Sequence, residues 1–217
     1  MNIDEFAESI LLNLPYVPNN QQVQLIAALA RFCSPLMPSD AVFLLNGYAG
    51  TGKTSVTGAL VRALRDARIP VVLLAPTGRA AKVFSKFAGL PATTIHRRIY
   101  RTDGTGLGFG TTEVADNNLT DGVFIVDEAS MIGESQSAGD VRGSLLEDLL
   151  QYVYSGDGCR MILLGDVAQL PPVGCAESPA MNVARLKESG LRVTHAVMTE
   201  VVRQGAGSGI LYNATWL

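Results

Sequence analysis

Apolar residues recur along this chain in two different periods, and the switches between them mark its elements. Ile3, Phe6, Ala7, Ile10 and Leu11 fall at i, i+3, i+4, i+7 and i+8, which predicts a short amphipathic helix. Pro15 to Asn20 interrupts it, and Asn19 or Asn20 can cap a second helix running to about Cys33. The stretch from Cys33 to Asp40 carries two prolines and reads as a loop. Beyond it, continuous apolar runs alternate with helical spacing. Ala41–Asn46, Val71–Ala75, Val123–Val126 and Met161–Leu164 are expected as buried strands. Lys53–Asp66, Gly78–Phe87 and Ser144–Tyr154 are expected as helices. Strands with no polar alternation, separated by helices, predict an α/β fold with a mainly parallel sheet covered on both faces. Thr102 to Gly122, rich in Gly, Thr, Asp and Asn, departs from this rhythm and reads as a loop or β-ribbon. The remainder predicts a helix over Met181–Glu188, a strand over Leu191–Val197 and a helix from about Ser208.

Composition narrows the class without naming a chemistry. Of 217 residues, 47% are hydrophobic and 17% charged, so disorder fails as a global description. No apolar run reaches the roughly 18 residues needed to span a bilayer. The opening MNIDEFAES carries acid where a secretory leader carries base, so a cytoplasmic, membrane-free protein is expected. Cys33, Cys159 and Cys175 lack CxxC spacing and read as reduced thiols, not as a zinc site. Charge changes the picture more. The net charge is −3, yet Arg79 to Arg101 holds six bases and no acid. That stripe carries +6, so the other residues sum to −9. A positive stripe on an acidic chain points to a directed anionic partner.

The chemistry starts at GYAGTGKT, residues 47–54, which fits G-x-x-x-x-G-K-[ST] between an expected strand and an expected helix. Gly47, Gly50 and Gly52 let the backbone curl so that its N–H groups face a phosphate. Ala49, Thr51 and Ser55 belong to the same loop. Lys53 is placed for the β- and γ-phosphates, and the Thr54 hydroxyl for Mg2+. A second signal is the acidic pair after the strand Val123–Val126. Asp127 is the natural second partner of the metal, and Glu128 the group that orients and deprotonates an attacking water. Together they predict binding and hydrolysis of Mg-ATP.

In this order and wording, further segments resemble the first RecA-like motor domain of superfamily 1 DNA helicases, nearest the RecD/Dda-like branch. Gln22, opening a helix, resembles the adenine-reading glutamine of that family. APTGRAA (75–81) and TTIHRRI (93–99) resemble its DNA-facing motifs, VDEASMI (126–132) its acidic motif, GDVAQLPPVG (165–174) its third motif, and TEVVRQ (199–204) its fourth. The resemblance implies a RecA-like P-loop NTPase, with an N-terminal helix and linker over 1–18 and the motor over 19–217. It implies ATP hydrolysis coupled to 5′ to 3′ movement on single-stranded DNA by a monomer. Gln169 is implied as a sensor of the γ-phosphate, and Arg203 as a guanidinium upon it, a contact that can be worth 10³ to 10⁵ in rate.

The stripe then acquires a partner. Pro76 and Thr77 end the second strand, Arg79 and Lys82 follow on one helix, and Thr94, His96 and Arg97 come next. Threonine, histidine and base can meet phosphate oxygens in a salt-dependent way. Phe84, Phe87 or Tyr100 can stack on a base or pack in the core. The later motifs of a second RecA-like domain do not occur before Leu217, so a fragment is expected: it would hydrolyse ATP slowly and not unwind a duplex alone. Two other classes compete. A P-loop kinase for a small molecule needs an acceptor pocket, and a guanine-reading switch needs an N-K-x-D sequence, which is absent.

Overall fold

The apolar run Ala41–Gly47 forms strand β1 at the heart of the computed structural model, which describes residues 2–102, 112–134, 144–166, 168–172 and 174–201. Before it come helices α1 (Ile3–Leu12) and α2 (Asn20–Phe32). After it come α3 (Lys53–Asp66), β2 (Val71–Ala75), α4 (Gly78–Ala88), β3 (Ala92–Thr94) and α5 (Ile95–Ile99). A ribbon of β4 (Tyr100–Thr102) and β5 (Thr112–Val114) leads to β6 (Val123–Val126). The described chain closes with α6 (Leu145–Tyr154), β7 (Arg160–Gly165), α7 (Val183–Glu188) and β8 (Arg192–Met198).

The main sheet has the order β3-β2-β6-β7-β1-β8, with every neighbouring pair parallel. Successive strand residues point to opposite faces, and both faces are apolar. Phe43, Leu45, Ile125, Ile162 and Leu164 pack with Phe6, Ile10, Leu29, Leu60 and Phe84 of α1 to α4. Val42, Leu44, Phe124, Val126 and Leu163 pack with Ile95, Ile99, Leu149 and Leu186 of α5 to α7. The expected parallel sheet between two helical layers is therefore present, and α1 shares the core of the first layer.

The differences from the sequence reading are local and have physical reasons. Strands β3 and helix α5 escape a periodicity test because three and five residues cannot display a period. The ribbon starts two residues before Thr102, where Tyr100 pairs with Val114 in antiparallel register. β7 begins at Arg160, a charge that apolar scanning skips. That side chain is only 7% exposed, and its guanidinium donates to the carbonyls of Phe32 (2.9 Å) and Ser34 (2.6 Å) at the end of α2. The helix expected over Met181–Glu188 is broken: Pro179–Met181 is a 3₁₀ turn, and the Asn182 side chain caps α7 by accepting from the Arg185 N–H (3.0 Å). The helix expected from Ser208 lies outside the described residues.

Among the described residues, no helix is long and apolar enough to cross a membrane. All six strands of the sheet deliver their following loops to one edge, where ligands of parallel α/β sheets are held.

Candidate nucleotide-binding site

At that edge the chain leaves β1 through residues 48–52 and enters α3 at Lys53. Gly52, the residue before the helix, has φ 89°, a conformation that a side chain disfavours. Gly47 is required for a different reason: a Cβ there would lie 2.9 Å from both the Cβ and the carbonyl oxygen of Met198 on β8. The loop is therefore wedged between its own helix and an adjacent strand. Thr51 is buried, and its hydroxyl donates to the Tyr48 carbonyl (2.8 Å). The Lys53 ammonium folds back over the loop, donating to the carbonyls of Gly47 and Tyr48 (2.9 Å to the latter).

Gln22 supports this loop from behind. It is 1% exposed, and its carboxamide is engaged at both ends: the oxygen accepts from the Asn19 N–H (3.1 Å), and the nitrogen donates to the Tyr16 hydroxyl and the Thr51 carbonyl (3.2 Å each). A base reaching Gln22 has to take over one of these bonds. Its neighbour Gln21, which carried no signal in the sequence, accepts from the N–H groups of Thr199 (2.9 Å) and Glu200 (3.0 Å). It thereby ties the segment after β8 to α2.

Across the gap, β6 ends in Asp127 and Glu128. The Asp127 N–H extends the sheet by donating to the Leu74 carbonyl (2.9 Å), and its carboxylate accepts from the Glu128 N–H (3.0 Å). Glu128 has φ 56° and ψ 36°, the left-handed region for a residue with a side chain, at a cost of about 1–3 kcal/mol. Its carboxylate accepts from the Gln169 amide (2.8 Å), and the Gln169 oxygen accepts from the Ser130 hydroxyl (2.8 Å). Gln169 comes from the loop after β7, where the Asp166 carboxylate accepts from the Ala168 N–H (2.9 Å).

These groups line one cleft of about 850 Å³. Its walls include Tyr48, Ala49, Gly50, Gly52, Lys53, Thr54, Ser55, Asp127, Glu128, Asp166 and Gln169. Burial pushes the Lys53 ammonium below its ordinary value, while the charges of Asp166, Asp127 and Glu128 pull it up. Burial likewise raises the Asp127 carboxyl. The Glu128 N–H opposes that rise, the Glu128 charge adds to it, and the Lys53 charge opposes it. Each group is shifted toward its neutral form, so desolvation outweighs their mutual attraction.

Tyr16, Val83 and Phe87 also line the cleft, and the sequence reading assigned them no place there. Val83 (49% exposed) and Phe87 (57%) sit one turn apart on α4, flanking the buried Phe84. An apolar arc on α4 wider than its buried stripe was the available signal. Of the three aromatics considered for stacking, Phe84 is core, and the Tyr100 hydroxyl donates to Asp148 (2.6 Å).

The basic stripe lies at the neighbouring strand ends. Ala75 and Thr94 are paired where β2 and β3 end, followed on β2 by Pro76 and Thr77. The Thr77 and Thr94 hydroxyls cap α4 and α5, accepting from the N–H groups of Ala80 (3.2 Å) and Arg97 (3.3 Å). Arg79, Lys82, His96 and Arg97 are exposed, and His96 leans on the Tyr100 ring at 5.6 Å. Arg203 lies outside the described residues. Cys33 and Cys159 are buried and Cys175 half-buried, all three free thiols.

Similarity to known proteins follows the same pattern. The chain is 33% identical over 174 residues to the ATP-dependent RecD2 DNA helicase of Deinococcus radiodurans, covering 79% of this chain and 21% of that protein. It is 34% identical over 140 residues to the ATP-dependent DNA helicase dda of Enterobacteria phage T4, covering 63% and 29% respectively. The crystal structure of the Pif1 helicase from Candida albicans superposes with a TM-score of 0.54 at 20% identity, over 91% of this chain and 43% of that one. The fold is thus shared, and the chain spans less than half the length of each of these proteins. Residues 19–213 match the family described as AAA domain, and on the strength of that match the chain belongs to the AAA domain family.

Proposed function

We propose that the chain is the ATP-binding and ATP-hydrolysing motor domain of a DNA helicase, coupled to single-stranded DNA. The observation that carries this reading is the convergence of Lys53, Thr54, Asp127, Glu128 and Gln169 on one cleft at the sheet's carboxyl edge. The names of the RecD2 and dda relatives support the same activity.

In this reading the loop amides and the Lys53 ammonium receive the triphosphate tail. The phosphate replaces the carbonyl partners that Lys53 now holds and adds negative charge that favours the protonated form against its burial. The Thr54 hydroxyl and the Asp127 carboxylate form an all-oxygen donor set that fits Mg2+. When bound, that ion neutralises charge on the β- and γ-phosphate oxygens. Glu128 orients a water toward the γ-phosphate and takes its proton, while Gln169 reaches the same region from the β7 loop. Arg203 is the candidate for an additional guanidinium on the transferring group. Gln22, held against Thr51, keeps the loop in shape beneath the nucleotide and lies near enough to respond to its base.

DNA is assigned to the adjacent strand ends. Pro76, Thr77, Arg79, Lys82, Thr94, His96 and Arg97 would follow a phosphate backbone, and nothing in that set reads base edges. Since β6 lies between β2 and β7, DNA at the ends of β2 and β3 would lie beside the nucleotide at the ends of β6, β7 and β1.

ATP turnover of the chain, measured with and without single-stranded DNA, tests this reading. Stimulation is the expected result, and Glu128→Gln should keep nucleotide affinity while losing roughly 10²- to 10⁴-fold in turnover. Phosphate appearing on an added nucleoside, with no response to DNA, would instead mark a small-molecule kinase.

A further inference from the structure

We propose that Gln21 is a positioning residue for nucleotide binding, acting on the phosphate loop through the segment that follows β8. This rests on the nucleotide reading above. β8 is an edge strand paired only with β1, so its outer backbone groups have no further strand to meet. At its end the Gln21 side chain takes that place. The carboxamide nitrogen donates to the Val197 carbonyl (3.3 Å), and the oxygen accepts from the Thr199 N–H (2.9 Å). A carbonyl and the N–H two residues on are the pair that a neighbouring parallel strand engages. The same oxygen accepts from the Glu200 N–H (3.0 Å), and the nitrogen donates to the Thr199 hydroxyl (3.3 Å). One side chain of α2 thus fixes the chain from Val197 to Glu200.

The segment so fixed is a wall of the phosphate loop. Met198 lies between the two residues that Gln21 holds at their backbone, and it is paired with Gly47 in the sheet. Its carbonyl accepts from the Tyr48 N–H (3.3 Å), and a Cβ on Gly47 would lie 2.9 Å from both that oxygen and the Met198 Cβ. Three residues on, a Val201 methyl stands 3.5 Å from where a Cβ on Gly50 would lie. The segment therefore runs beside the loop from Gly47 to Gly50. Gln22, the next residue of α2, holds the loop itself through the Thr51 carbonyl (3.2 Å). Adjacent side chains in one helical turn grip the loop and the wall packed upon it.

Loop amides receive phosphate only while they converge on one point. Without Gln21 the Thr199 and Glu200 N–H groups pass to water and the wall is free to draw back, so part of the binding energy is spent on ordering it. Coupling of this kind is reciprocal. If the Gln21 bonds favour nucleotide, bound nucleotide must favour the Gln21 bonds.

The experiment titrates the full chain, Gln21→Ala and Gln21→Glu with a fluorescent ADP analogue and Mg2+. Gln21→Ala should weaken binding roughly 2- to 10-fold, the range for one hydrogen bond. Alanine favours the helix and leaves the Asn19–Gln22 cap untouched, so α2 itself is not the cause. Gln21→Glu keeps an oxygen for both N–H groups and should bind within about 2-fold of the unaltered chain, the strength of the weakest such bond. Equal affinity in Gln21→Ala, or no recovery in Gln21→Glu, overturns the proposal. A second measurement follows hydrogen exchange at the Thr199 and Glu200 amides by NMR. Saturating Mg-ADP should slow both in the unaltered chain and leave them unchanged in Gln21→Ala. Exchange that ignores nucleotide in the unaltered chain also overturns the proposal. If the unaltered chain binds no nucleotide, the nucleotide reading and this role fall together; if it binds and Gln21→Ala binds as tightly, this role alone falls.

Discussion

Gly47 has no room for a side chain, because Met198 approaches to 2.9 Å of where its Cβ would lie, partly through backbone that cannot rotate away. Gly47→Ala should destabilise the fold by about 1–3 kcal/mol, the range for overpacking, and displace the loop that presents Lys53. Urea denaturation and nucleotide titration would register the two effects separately. Cys33 offers a test of burial alone. Desolvation pushes its thiol up from 9.0 to about 12, the Arg160 charge opposing. The unfolded chain therefore releases a proton between pH 9 and 12 that the folded chain keeps. Stability from this group is complete below pH 9 and declines as pH rises through that window. Cys33→Ala should flatten the decline relative to the unaltered chain in denaturant melts from pH 8 to 11. Tyr154, raised by burial and by the Asp40 charge, leaves a decline common to both proteins.

Helices act here through their first residues. α2 begins with a capping box in which the Asn19 side chain accepts from the Gln22 N–H (2.8 Å) and the Gln22 side chain accepts from the Asn19 N–H. The same glutamine holds Thr51, so a cap and a ligand loop share one side chain. Asn19→Ala should cost about 1 kcal/mol and weaken nucleotide binding several-fold, read by thermal melts and by titration with a fluorescent ATP analogue. α4 carries its cations on the exposed side, and Arg79 and Lys82 make no ion pair with another described residue. Replacing both with Ala should lower the slope of log affinity for single-stranded DNA against log salt by about 1.4, two phosphate contacts' worth. An unchanged slope would make the stripe ordinary surface.

At the scale of the molecule, the cleft joins segments that follow β1, β6 and β7, three strands that pass through both halves of the core. A ligand there contacts the folded chain and not the unfolded one, so binding must raise stability. Mg-ATP at 100 times its dissociation constant adds about 2.7 kcal/mol, which for a chain of this size is roughly 5–10 °C in Tm. Lys53→Ala should abolish the shift. No shift in the unaltered chain would remove nucleotide from this cleft, whatever the turnover assays show.

Much of this was legible beforehand. β2, β6 and α3 were read with their observed bounds, because each is a run or period long enough to declare itself between glycine or polar breaks. The loop at 47–54 and the pair at 127–128 were legible because phosphate chemistry restricts residue types within a short span. The short β3 and α5 were not, since three and five residues display no period, and neither were the buried Arg160 and the inward-facing Gln22, whose partners lie dozens of residues away. Local order in the chain determined the kinds of element and the candidate chemistry, because backbone period and loop composition are properties of neighbouring residues. Only the packed sheet decided that β7 separates β1 from β6, that Met198 closes on Gly47, and that Ser130, Gln169 and Glu128 share two hydrogen bonds. Those contacts span 37 to 151 positions, and a linear pattern carries no term for them.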